Sequence, residues 1–80
     1  MNFRNVVKGW LADNNIKPVS LRHNPRTGVY RAFLSSFFPY RNGRGNIIQF
    51  VQNYPHGFTV TVISTENDRE DVIGSEHVTR

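Results

Sequence analysis

The 80-residue chain contains no cysteine and carries a net charge of +4. That excludes a disulfide framework and a thiolate zinc site, and no stretch approaches the roughly 20 apolar residues of a membrane-spanning helix. A domain of this size buries only about 60–65% of the surface its unfolded chain exposes, so the core is too thin to enclose a deep active site.

Phe3, Val6, Val7, Trp10 and Leu11 fall at i, i+3, i+4, i+7 and i+8, the spacing of one apolar helical stripe. A helix is expected over 3–14. Asn2 would cap its start, Asn14-Asn15 would provide a left-handed C-terminal cap, and Pro18 would block continuation. The pattern then changes to period two. Val19-Ser20-Leu21-Arg22 alternates apolar and polar, and His23 to Gly28 is dense in turn formers. Val29 to Phe38 reads as a long strand, and Asn42-Gly43 is a strong hairpin signal.

The segment 46–54 fits two patterns. Ile47, Phe50, Val51 and Tyr54 match helical spacing, whereas the preceding Asn-Gly and the Ile47-Ile48 pair favour a strand. Phe58 to Ile63 alternates cleanly as a strand. Beyond Thr65 the chain is polar and charged, with at most a short edge strand at 71–73. The expected fold is therefore α+β, with an N-terminal amphipathic helix packed on one face of an antiparallel meander of about four strands. Residues 1–65 form the single basic domain, and 66–80 an acidic, loosely ordered tail.

Charge divides along the same boundary. Residues 1–65 hold eight basic side chains against Asp13, a net of +7, whereas 66–80 hold five acids against Arg69 and Arg80, a net of −3. A basic body points to a polyanionic partner. One helix covers one sheet face and leaves the other to solvent or to a ligand. Side-chain alternation sends Val19, Leu21, Phe58, Val60 and Val62 toward the core, together with the even residues of the long strand from Tyr30 to Tyr40. Arg31, Phe33, Phe37 and Arg41 then share the open face with Arg22, while Arg26 and Arg44 occupy turns at the sheet ends. A bulge at Ser35-Ser36 would exchange Phe37 for Phe38 on that face.

Aromatic rings that stack on bases, interleaved with guanidinium groups that pair with phosphates, make a single-stranded nucleic-acid platform. Arg22, Arg26, Arg31, Phe33, Phe37, Arg41 and Arg44 are the candidate binding residues, for nucleic acid or for an acidic protein surface. The second expectation is an accessory protein of the phage or mobile-element type that inhibits or modulates a host polymerase, nuclease or defence enzyme, with a phenylalanine as the anchoring contact. Self-association through a strand edge, giving a homodimer, is a third.

An enzyme is not expected. His23, His56 and His77 lack metal-type spacing, and the basic body has too few carboxylates for nuclease metals. No cofactor and no small-molecule substrate are expected. With no apolar leader-like run at the N-terminus and no Asn-x-Ser/Thr sequon, a cytoplasmic location is expected, the host cytoplasm if the chain is virus-encoded. The stretch HNPRTGVYRAFLS locally resembles the hairpins of three-stranded-sheet DNA readers such as integrase arm-binding domains. If duplex DNA is the ligand, a two-stranded ribbon over 21–33, with Arg22, Arg26 and Arg31, is the element expected to enter its groove.

Overall fold

The apolar stripe at the N-terminus is the buried side of a helix. The computed structural model describes residues 3–34, 46–53, 57–65 and 70–79. Helix α1 (Phe3–Asp13) precedes strands β1 (Ser20–His23), β2 (Tyr30–Phe33), β3 (Asn46–Asn53), β4 (Gly57–Ser64) and β5 (Asp71–Thr79). The strands form one antiparallel sheet in the order β1-β2-β3-β4-β5. The α+β arrangement is the one expected, with five strands where about four were anticipated.

Val6, Val7 and Leu11 of the helix are buried against Tyr30, Ala32, Ile48, Phe50, Phe58, Val60 and Val62 of the sheet. Each fully buried aliphatic or aromatic side chain contributes about 1.5–3 kcal/mol. Aromatic rings fix the angle of approach. Phe3 packs on Tyr30 at 5.2 Å and edge-on to Phe58 at 6.0 Å, and Trp10 meets Phe50 edge-on at 5.5 Å. These tilted and edge-on geometries suit the ring quadrupoles.

Two backbone bonds close the helix. The Ile16 N–H donates to the Leu11 carbonyl at 2.8 Å, and the Asn15 N–H donates to the Ala12 carbonyl at 3.0 Å. Asn15 has φ 59°. This is the left-handed cap that the Asn pair signals, and its two bonds satisfy carbonyls otherwise orphaned at the helix end. Leu11 and Ile16 are both buried, so the cap also carries the hydrophobic contact that accompanies such turns. The Asn2 cap lies outside the described residues.

Three segments differ from the expectation or decide between its alternatives. Asn46–Asn53 is a strand. Ile47 and Ile48 are both buried, but Ile48 belongs to the helix-side core and Ile47 does not. Adjacent side chains pointing to opposite sides are what a strand produces and a helix does not. Val19 is not core. It precedes the strand at a bend and is 75% exposed, while Ile16 fills that end of the core at 4%. The third is β5, which runs nine residues where the sequence suggests a short edge at 71–73. Its side chains are almost all exposed. Backbone pairing along β4 holds it in place, and such pairing leaves no apolar periodicity to read.

Replacing Asn15 tests the cap. Asn15→Ala should cost about 1 kcal/mol, because Ala tolerates positive φ poorly. In a domain of this size that lowers Tm by about 4–8 °C. Asn15→Gly should not lower it, and thermal unfolding followed by circular dichroism compares the two.

Candidate nucleic-acid interface on the uncovered sheet face

Each side chain on the sheet face opposite α1 is placed by strand register. Arg22 pairs with Arg31, Arg31 with Gln49, Gln49 with Thr61, and Thr61 with Ser75. These five form a row across the whole sheet. The next row runs Ser20, Phe33, Ile47, Ile63 and Val72. The first row is polar, and the second is mostly apolar.

The β1–β2 turn closes one end of this face. Asn24 Oδ1 accepts from the Arg26 N–H at 2.9 Å, and Thr27 Oγ1 accepts from the Val29 N–H at 3.3 Å. The Gly28 N–H donates to the Asn24 carbonyl at 2.8 Å. Gly28 has φ 75°, a conformation that glycine adopts without steric penalty. The sequence HNPRTG therefore supplies both side-chain acceptors and the left-handed residue that the turn needs.

Between the turn and the sheet lies an open depression of about 520 Å³, lined by Arg22, Arg31, Phe33, Gln49, Thr27 and Val29 among others. Three of the seven expected binding residues, Arg22, Arg31 and Phe33, are thus brought together. Arg26 is exposed in the adjoining turn and does not line the depression. Phe37, Arg41 and Arg44 lie outside the described residues, as does the alternative between Phe37 and Phe38.

Two arginines directly opposite on neighbouring strands repel each other. The structure answers that repulsion in two ways. The Arg22 guanidinium sits 6.0 Å from the centre of the Phe33 ring, at the outer range of a cation–π contact. Arg31 donates from Nε to Gln49 Oε1 at 3.2 Å and pairs through Nη1 with Glu70 at 3.6 Å. Three strand spacings, about 14 Å, separate β2 from β5. Arg31 and Glu70 therefore meet over the uncovered face.

Gln49 and Glu70 were not singled out from the sequence. Gln49 becomes visible by strand parity once 46–53 is known to be a strand. Glu70 gives no local signal, since only the return of the chain at β5 brings it near Arg31. Further polar positions on β3, β4 and β5 engage one another. Asn53 donates to Thr59, Thr61 and Ser75 hydroxyls lie 3.2 Å apart, and Thr59 Oγ1 is 3.4 Å from His77 Nδ1. Among the described residues no group of three or more His, Cys, Asp or Glu comes together to hold a metal ion, and no helix is long and apolar enough to cross a membrane. No known protein family, curated protein or solved structure matches the chain.

The Arg31–Glu70 pair is half exposed at both ends, so its coupling should be small. A double-mutant cycle with Arg31→Gln and Glu70→Gln, read by urea unfolding, should give about 0.2–1 kcal/mol at low salt and less at 0.5 M.

Proposed function

We propose that the protein binds single-stranded nucleic acid on the uncovered sheet face. The cross-strand pair Arg22 and Arg31, set in a depression beside the half-buried ring of Phe33, carries this reading. A phosphate placed between two like charges relieves their repulsion and accepts bidentate hydrogen bonds from guanidinium forks. A base on Phe33 adds stacking, worth about 1–3 kcal/mol, and needs no particular sequence because every base has a π face. Gln49 offers amide groups within the same depression. Arg26, exposed in the turn, stands where a strand leaving the depression would pass.

The charge division supports the same reading. A +7 body over residues 1–65 supplies the long-range field that draws a polyanion in. Glu70 then occupies part of the position that a phosphate would take at Arg31, so an incoming strand must displace a carboxylate. The competing expectation of an acidic protein surface as partner uses the same charges, without the need for a stacking ring.

Fluorescence titration of a labelled oligonucleotide tests the proposal. Binding should weaken steeply with salt. Arg22→Gln with Arg31→Gln should flatten the slope of log K against log salt by about 1.4, two single-strand phosphate contacts. Phe33→Leu, which preserves bulk, should lower affinity roughly fivefold or more. Glu70→Gln should tighten binding. No binding at low salt would sink the proposal, and equal binding by Phe33→Leu would remove the stacking role. A stoichiometric protein captured from nuclease-treated lysate, with no oligonucleotide affinity, would favour the accessory-protein alternative.

A further inference from the structure

Among the described residues the sheet ends at β1 on one side and β5 on the other, and the three exposed large apolar side chains all stand at these two edges. Val19, at the entry to β1, is 75% exposed; Val72 and Ile73, at the start of β5, are 65% and 39% exposed. Strand register relates the two edges. Ser20 is linked through Phe33, Ile47 and Ile63 to Val72, so Val19 lies within one residue of the level of Val72 on the opposite side.

Charge is divided between the edges in the same way. Beside Val19 runs a groove of about 580 Å³ lined by Lys8 and Lys17 together with Leu11, Ile16 and Leu21. Residues 70–79 carry Glu70, Asp71 and Glu76 and no lysine or arginine. Asp71 is exposed and lies level with Val19, two residues from Lys17. Every pairing in the order β1-β2-β3-β4-β5 is antiparallel, so β1 and β5 run in the same direction.

From this match we infer that the protein self-associates head to tail, the β5 edge of one copy adding to the β1 edge of the next. A copy displaced sideways along the sheet and turned to follow the sheet twist sets its β5 parallel to β1 at the same height. Asp71 then comes level with Val19 and within two residues of Lys17, while Val72, level with Ser20, flanks the seam on the uncovered face. Main-chain groups on both edges gain partners, as in other strand additions. Symmetric joints are disfavoured by charge. β5 against β5 gathers Asp71 and Glu76 of both copies along one seam, and β1 against β1 does the same with Lys17 and Arg22. A head-to-tail joint does not close on itself at two copies, so it extends into an open chain. β1 is four residues long, so each joint is short and association is weak and concentration-dependent. This inference does not rest on nucleic-acid binding.

Sedimentation velocity of the full chain, from about 10 μM to about 1 mM, reads it directly. The weight-average sedimentation coefficient should keep rising with concentration instead of levelling at a dimer, and should fall when salt is raised. Val19→Asp blocks one edge, and the double variant Val72→Asp, Ile73→Asp blocks the other. These side chains are exposed, and circular dichroism of each variant checks that it folds. Each variant alone should remain monomeric. An equimolar mixture should form a one-to-one dimer and nothing larger, because one free β5 edge and one free β1 edge remain. A wild-type monomer throughout the series, a closed wild-type dimer, or a mixture that stays monomeric would each overturn the inference.

Discussion

One helix must cover a sheet wider than itself, and most features of the molecule follow from that mismatch. The 11 residues of α1 span about 16 Å, whereas five strands span about 19 Å from first to last. The rings of Phe3 and Trp10 reach Tyr30, Phe50 and Phe58, on β2, β3 and β4. The sheet is therefore buried at its centre and bare at its margins. β5 has a single side chain, Val78, packed against the core. The entire reverse face receives nothing from the helix, and its composition passes from arginine and glutamine at one end of β2 and β3 to isoleucine at the other.

Legibility in the sequence followed burial. The helix, its cap, and the parity of Tyr30, Ala32, Phe58, Val60 and Val62 could be read because apolar burial imposes a period on the residue order. The segment around Ile47 was ambiguous because both strand faces there bury isoleucine, which erases the alternation that identifies a strand. Val19 was misplaced because the alternation Val-Ser-Leu-Arg continues one residue beyond the strand itself. β5 was the least legible. Main-chain pairing holds it, and exposed side chains are free to be anything polar.

The candidate site was legible in half. Local parity sends Arg22, Arg31 and Phe33 to one face without knowledge of the tertiary fold. Gln49 required the correct assignment of β3. Glu70 required the path of the chain after β4, which nothing in the residue order states. Long-range electrostatic partners of this kind are invisible to pattern reading, because a carboxylate at the surface carries the same local signature whether or not an arginine waits opposite. Phe37, Arg41 and Arg44 lie outside the described residues.

The plain meander order of the sheet also has a kinetic consequence. Every strand pairs with its neighbours in the chain, so the only long connection to close is the one between β2 and β3, and closure entropy rises only slowly with loop length. Assembly can proceed one strand at a time, from a β2–β3–β4 centre collapsed on the helix toward the margins. Disassembly should retrace that course, with β5 the first to peel, since its departure exposes almost no apolar surface. The molecule thus has a cooperative interior and a detachable rim, and hydrogen exchange along β5 should run well ahead of exchange along β3.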